Sequence, residues 1–365
     1  MKILRSYILK EFFGPFFVSL AALTLVMLLG NLVRLADLII NKGVDIFSVS
    51  KLFIFLMPAL LTYTLPLAVL VAVLLCIGRL SSDNEIIAMR ASGVSVLRLI
   101  IIPLLTVGLI LSLILFIFND RIIPYAHFAS RRTLGSIGIK NPAAAFEAGT
   151  FINAFDKYII FVYRIEGNKL YQVRIYEPQP DNKPCRTIVA KEGEFVSLPE
   201  KGMVKLKLID GTSDEPDLNN PGRFYKLNFQ ALFLNLSLSQ TDKDEIRKKP
   251  KDMTFEEIKQ KIKEFKASGI EIFPLLTDLH KRFALAFSVI IFILLGCGLA
   301  MLTRRREKSI NFSIAFAIAV IYYLLLLGAN ALSLQGYLSP TLAMWLPNII
   351  LGAAALLLMV KVCAY

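Results

Sequence analysis

Long stretches of this chain carry no charge. Residues 12–33, 52–78, 99–119, 283–303 and 309–360 contain no Asp, Glu, Lys or Arg. An uncharged apolar run of about 20 residues can cross the hydrocarbon core of a bilayer as a helix. The last run is too long for one crossing. Gly336 and Pro340, in LQGYLSPT (334–341), are turn residues that split it. Six spans are predicted: 7–35, 52–78, 97–119, 283–303, 310–333 and 341–361. Lys2, Arg5 and Lys10 precede the first, as in a signal peptide. Its apolar stretch outruns a signal core and no small-x-small site follows, so a retained helix is expected.

Between the third and fourth spans the period changes. YIIFVYRI (158–165), LYQVRIYE (170–177), MVKLKLID (203–210) and FYKLNFQALFLNLSLS (224–239) are rich in β-branched and aromatic residues, and several alternate apolar with polar. Turn signals separate them at Glu166-Gly167-Asn168, Pro178 to Pro184, Pro199 to Gly202 and Asp210 to Gly222. Seven or eight short strands in a sandwich or jelly roll are expected. TFEEIKQKIKEFKASG then reads as an amphipathic helix. Thr254 and Glu257 form a capping box, Phe255, Ile258, Ile262 and Phe265 make one stripe, and Gly269 is a stop. Lys259, Lys261, Lys263 and Lys266 form a basic face, read as solvated or, less favoured, as touching headgroups.

The expected fold class is an α-helical membrane protein of six transmembrane helices. An all-β, jelly-roll-like periplasmic domain is inserted between the third and fourth. Residues 1–119 hold the first three spans, 120–282 the insert (strands about 149–239, helix about 254–268), and 283–365 the last three.

Composition sharpens this picture. The 365 residues are 56% hydrophobic, with mean hydropathy +0.61 and a net charge of +13. The Lys and Arg of short loops set orientation. One side holds Lys2, Arg5, Lys10, Arg79, Arg90, Arg98, Arg304, Arg305, Arg306, Lys308 and Lys361; the other holds Arg34, Lys42 and Lys51. Both termini are therefore expected in the cytoplasm. The insert has 27 basic and 22 acidic residues, so the positive total reports topology rather than nucleic acid.

Catalytic signals are missing from the sequence. There is no P-loop, H-E-x-x-H or G-x-S-x-G, and no Cys/His metal spacing around His127 and His280. No catalytic, metal or cofactor site is expected. Cys185 is the one cysteine of the insert, so no disulfide forms within it, and an inert thiol is favoured over a reactive one. The span cores lack carboxylates, which argues against a proton-driven carrier and leaves energy to a partner.

Two sets of residues remain. In GRLSSDNEIIAMRASGVSVLRL (78–99), Ser82 and Glu85 form a capping-box pattern, Ile86, Ile87 and Met89 are apolar, Arg90 is in the last turn and Gly93 ends the helix. Such a helix suits a partner's groove. Pattern alone favours a plainer reading, with Glu85 capping its own helix and the apolar residues on the lipid interface. The second set is Arg34, Lys42, Arg121, Arg131 and Arg132, at the outer membrane face. Arginine grips phosphate by paired hydrogen bonds. The plainer reading is snorkelling to phospholipid, or pairing of Arg34 with Asp37.

NLVRLADLI (31–39), SSDNEIIAMRASGVS (81–95) and LTDLHKRFALAFSVIIFILLG (276–296) resemble the LptF/LptG (YjgP/YjgQ) permease family, over nearly the whole chain. The middle segment is the most specific, and the β domain matches only in layout. The resemblance implies a permease subunit of an ABC transporter that draws lipopolysaccharide from the bacterial inner membrane into a periplasmic jelly-roll path. It implies as partners a cytoplasmic ATPase dimer that uses the ATP, a second related permease in a heterodimer, and periplasmic lipopolysaccharide-transport proteins. It assigns 81–93 as the coupling helix, with Glu85, Ile86, Ile87, Met89 and Arg90. It places Arg34, Lys42, Arg131 and, more weakly, Arg132 at lipid phosphates. The alternatives are an ABC-type permease for another lipid or lipoprotein, and a membrane-anchored envelope assembly protein.

Overall fold

The computed structural model describes residues 2–93, 95, 97–140, 149–155, 158–167, 169–178, 185–198, 203–216, 224–236, 248–268, 271–303 and 308–364. Six helices are long and apolar enough to cross a membrane, and each predicted span falls on one of them. The chain is a multi-pass membrane protein. In order come α1 (Lys2–Ile40), α2 (Ile46–Ser82), α3 (Glu85–Ala91), α4 (Ile102–Ile117) and α5 (Ile123–Lys140). Six strands follow: β1 (Phe151–Phe155), β2 (Tyr158–Glu166), β3 (Lys169–Glu177), β4 (Arg186–Leu198), β5 (Met203–Pro216) and β6 (Phe224–Leu236). α6 (Phe255–Ala267), α7 (Phe273–Thr303), α8 (Lys308–Leu334) and α9 (Pro340–Ala364) complete the chain. α1 has 39 residues, about 58 Å of helix against a hydrocarbon core of about 30 Å, so it projects well beyond the bilayer core. Arg304 to Arg306 and Gly269 lie outside the described residues.

The chain forms two compact units. The first comprises Met1–Asn31, Leu56–His127 and Lys248–Tyr365. Its core joins α1, α2, α4, α7, α8 and α9 through residues such as Phe12, Leu70, Leu104, Phe292 and Tyr322. Without a hydrophobic drive between helices in lipid, close packing needs small residues. A Cβ on Gly298 would stand 2.8 Å from the Leu358 Cβ, and one on Gly296 2.9 Å from a Val73 methyl.

Prolines shape the third span. A π-helical turn at Leu97–Ile101 precedes Pro103, and another at Phe118–Ile122 precedes Pro124. Proline has no N–H, so the turn before it keeps a carbonyl without its usual donor. At the second turn Arg282 supplies the donor. Its Nη1 donates to the Asn119 carbonyl (3.2 Å) and the Met253 carbonyl (2.7 Å). Nη2 donates to the Pro250 carbonyl (2.9 Å) and to Asp278 (2.8 Å), and Nε donates to Asp278 (3.1 Å). All five guanidinium N–H groups are thereby used, on a residue only 7% exposed.

These bonds hold α6 in place. The predicted capping box is present: Thr254 Oγ1 accepts from the Glu257 amide (3.4 Å) and Glu257 accepts from the Thr254 amide (2.9 Å). Asp120 accepts from the Phe255 amide at 2.8 Å. The predicted stripe packs Phe255, Ile258, Ile262 and Phe265 against Leu275, Leu279, Phe116 and Phe283. Buried Asp252 bonds His127 at 2.6 Å.

The second unit comprises Leu32–Phe55 and Phe128–Arg247. One hydrophobic cluster (Leu35, Leu38, Val44, Val49, Leu52 and Ile137) joins the end of α1, the start of α2 and α5. Asp45 caps α2 by accepting from the Ser48 amide at 2.9 Å.

The all-β insert is present as one antiparallel sheet in meander order, β1 to β6, among the described residues. Within the described residues it has six strands, three of them 13 or 14 residues long, where seven or eight short ones were expected. The 210–222 turn begins too early in the sequence reading, because β5 continues to Pro216 and pairs Gly211 with Phe229. β4 had no predicted run. Its KEGE (191–194) interrupts the apolar pattern, although the strand pairs along both edges.

A single line across the sheet explains that interruption. The ladders skip the row Tyr163, Gln172, Lys191, Asp210 and Gln230, which stand opposite one another on β2 to β6. Gln172 (φ 53°) and Asp210 (φ 49°) are left-handed there. Each strand changes parity at this row: β3 buries Leu170, then Val173 and Ile175; β4 buries Ile188 and Ala190, then Phe195; β5 buries Leu206 and Leu208, then Ser213. A change of parity in one strand alone would send its following side chains to the opposite face from its neighbours'. No strand gains a residue on its neighbour, because the pairing register is the same on both sides of the row. The alternation shifts by one in all the strands together along this crease, and the apolar residues on both sides of it form one core.

Replacing Arg282 with Ala leaves buried acceptors without donors, at an expected cost of about 3–5 kcal/mol. Lys, with three donors instead of five, is expected to recover only part of this. Thermal unfolding in detergent measures both, and a wild-type melting temperature for Arg282→Ala would refute the role. At Glu257 partial burial works to raise the carboxyl, but the Lys248 ammonium and the Thr254 amide outweigh it and hold it below its usual value. A lowered carboxylate stabilises the fold above its unfolded pKa, and that stability is lost as pH falls through the folded one. Glu257→Gln is therefore expected to flatten the acid limb of stability below about pH 4.3, read by hydrogen exchange of α6.

Candidate functional site

The segment predicted at 81–93 is built differently from its expected cap. Ser82 ends α2, and its hydroxyl donates to the Gly78 carbonyl at 2.8 Å. α3 starts at Glu85 after Asn84, whose φ is 59° and whose side chain makes no capping bond. The Ser82–Glu85 capping box is therefore absent, because α2 runs on and takes the serine. Glu85 does not cap its own helix either: it accepts from the Tyr7 hydroxyl at 3.0 Å. Gly93, at φ 73°, lies just beyond the end of α3 as expected.

Tyr7 belongs to a network that the sequence did not disclose. Arg79 pairs with Glu11 on α1 and with Asp83 at 3.5 Å, and its Nη2 lies 3.5 Å from the Tyr7 oxygen. Arg79 thereby binds α1 to α2, and Tyr7 binds α1 to α3. Tyr7 and Glu85 are 78 residues apart, so no local pattern could have paired them.

Packing sorts the predicted coupling residues into two groups. Ile86 is 6% exposed in the helical core, and Met89 packs against it. Ile87 is 55% exposed, and Arg90 is exposed beside it. The inner pair anchors α3 while Ile87 and Arg90 form an open surface.

The four predicted phosphate residues all belong to the second unit: Arg34, Arg131 and Arg132 on the helices joined by its cluster, and Lys42 in the turn between α1 and α2. Arg34 is exposed, and Asp37 is not its partner. Asp37 instead accepts from Asn41 at 2.6 Å and lies 4.0 Å from Lys42. The Lys42 side chain is mostly buried, at 16% exposure, so it is less open than Arg34. Arg131 is half-buried and Arg132 exposed. Arg121, also considered, is exposed on the π-helical turn of the first unit. At Cys185 partial burial and the Glu177 carboxylate push the thiol up, which disfavours thiolate and suits an inert cysteine.

Six helices long and apolar enough to cross a membrane, interrupted by a β domain and with a short helix between the second and third spans, define a multi-pass membrane protein with an inserted β domain. Residues 6–361 match the family "Lipopolysaccharide export system permease LptF/LptG". The chain belongs to that family. It is also similar to the uncharacterized protein RP871 of Rickettsia prowazekii (strain Madrid E), at 23% identity over 237 residues. That match covers 65% of this chain and 64% of the relative.

Tyr7→Phe removes one anchor of α3. A bond of about 1 kcal/mol predicts roughly fivefold faster hydrogen exchange in Glu85–Ala91, with α2 unaffected. Unchanged exchange would show that Ile86 and Met89 alone hold the helix.

Proposed function

We propose that this chain is the permease subunit of an ABC transporter that extracts lipopolysaccharide from the bacterial inner membrane. The observation that carries the reading is the family match across residues 6–361. The short-loop Lys and Arg bias supports cytoplasmic termini and a periplasmic β domain. In this reading a second related permease completes the lipid cavity. A cytoplasmic ATPase dimer binds and hydrolyses the ATP, and this chain binds no cofactor. Periplasmic lipopolysaccharide-transport proteins receive the lipid.

The proposed cycle uses the geometry at both ends of α1. The ATPase engages α3 through exposed Ile87 and Arg90, with Glu85 beside them. Because Arg79 and Tyr7 tie α1, α2 and α3 together, movement of α3 is passed to α1 instead of being lost in a loose loop. Near the other end of α1, exposed Arg34 offers a fork of donors to a lipid phosphate, and Arg131 and Arg132 are further cations of that unit. Lys42 contributes less, being turned toward Asp37. Collapse of the cavity then passes the lipid to the β domain.

Glu85→Arg is expected to abolish co-purification with the ATPase while leaving the membrane part folded; normal co-purification would remove Glu85 from the interface. In liposomes with the ATPase and second permease, Arg34→Glu is expected to slow ATP-dependent lipopolysaccharide release at least severalfold. An unchanged rate would remove Arg34 from the site.

A further inference from the structure

The crease is a feature that a purely structural bend does not fully account for. All five residues of its row are polar and exposed: Tyr163, Gln172, Lys191, Asp210 and Gln230. A shared change of alternation needs a skipped position in each strand, but it does not need hydrogen-bonding side chains at that position on five successive strands. Above β3 to β6 the crease opens into a cavity of about 670 Å³, lined among others by Gln172, Arg174, Lys191, Asp210 and Asn228. A second cavity of about 420 Å³ shares Gln172 and Lys191 and adds Tyr163 and Glu192. The two make one furrow across five strands, about 19 Å wide at about 4.8 Å per strand.

The charges in the furrow are not spent on one another. Among the described residues, Arg174, Lys191 and Asp210 form no ion pair. Lys191 and Asp210 fall opposite each other at the position that the ladder skips, between the Ala190–Gly211 and Glu192–Ile209 pairs, and do not pair there. The left-handed backbone at Asp210 re-aims its side chain, and such strain persists at binding sites. Gly211 is required beside it, because a Cβ there would lie 2.4 Å from the Phe229 ring and 2.5 Å from the Val189 carbonyl.

We propose that this furrow binds the saccharide part of the exported glycolipid, through an oligosaccharide carrying acidic or phosphate substituents. Sugar hydroxyls both donate and accept, and the amides of Gln172 and Asn228 do the same. The Asp210 carboxylate accepts from hydroxyls, and the Tyr163 ring gives the apolar face of a sugar a platform. Arg174 and Lys191 meet the acidic groups. Asp210 and Glu192 stand among the cations, so the furrow disfavours a bare polyanion. The polar head thus travels along the outside of the sheet. This proposal rests on the export reading above.

The test uses the full chain, assembled in nanodiscs with the second permease and the ATPase, and two probes: the lipid-free phosphorylated core oligosaccharide of lipopolysaccharide, and lipid A without core sugars. Saturation-transfer NMR and titration give each affinity. The double variant Arg174→Glu, Lys191→Glu is expected to weaken the oligosaccharide at least tenfold, and Gln172→Ala severalfold, with lipid A unchanged. Lys226→Glu, on the same sheet but off the crease, is expected to change neither. Oligosaccharide affinity within twofold of wild type in the double variant overturns the proposal, as does an equal loss in Lys226→Glu. A wild-type chain that binds lipid A but not the oligosaccharide overturns the furrow and leaves the export reading standing. A chain that binds neither overturns both.

Discussion

Arg282 is a full cation at the edge of an uncharged run, and its five N–H groups must all find acceptors. They find one carboxylate and three backbone carbonyls, two of them in the turn before α6 and one at the π-helical turn before Pro124. A buried cation with a missing acceptor is costly, so the arrangement is close to all-or-none. It fixes the π-helical turn of the third span, where α6 begins and how α6 lies on α7. The Asp120 bond to the Phe255 amide and the Asp252 bond to His127 then complete the junction. The apolar stripe of α6 has a place to pack only because this polar junction sets its entry.

The same demand for satisfied polar groups organises the other parts of the molecule. In the bundle the Tyr323 hydroxyl donates to the Tyr63 carbonyl at 2.7 Å, in the turn that Pro66 weakens. At α3 the anchor is again a long-range bond, from Tyr7 to Glu85, backed by the burial of Ile86. In the sheet the ladder is given up along one row, and the polar side chains of that row face outward. Both apolar halves then reach one core. Each site of interest lies where regular backbone pairing stops, since only there are groups available for a partner.

Local signals were legible in the sequence wherever one segment contained the whole reason for its structure. The six spans could be read from the absence of charge. The α6 capping box could be read from Thr254 and Glu257, three residues apart, and its stripe from the 3.6-residue period. The same local logic failed at Ser82, because whether a serine caps the next helix or ends the previous one depends on how far α2 runs. It failed at β4 and at 210–216, because the alternation within one strand cannot show a parity change that is shared by five strands. It did not find Arg282 or Tyr7. Their acceptors lie up to 163 and 78 residues away.

The sequence by itself determined the crossing helices, the inserted β domain and, through its resemblance, the family. Lipid excludes charge and rewards length, and both are properties of a contiguous run. Only the tertiary structure decided which predicted residues stand open to a partner. Ile87 and Arg90 face outward while Ile86 and Met89 anchor, and Arg34 is exposed while Lys42 turns to Asp37. Exposure and pairing depend on neighbours brought together by folding. The crease belongs wholly to that level: a row of five side chains from five strands exists only once the strands have been laid in register.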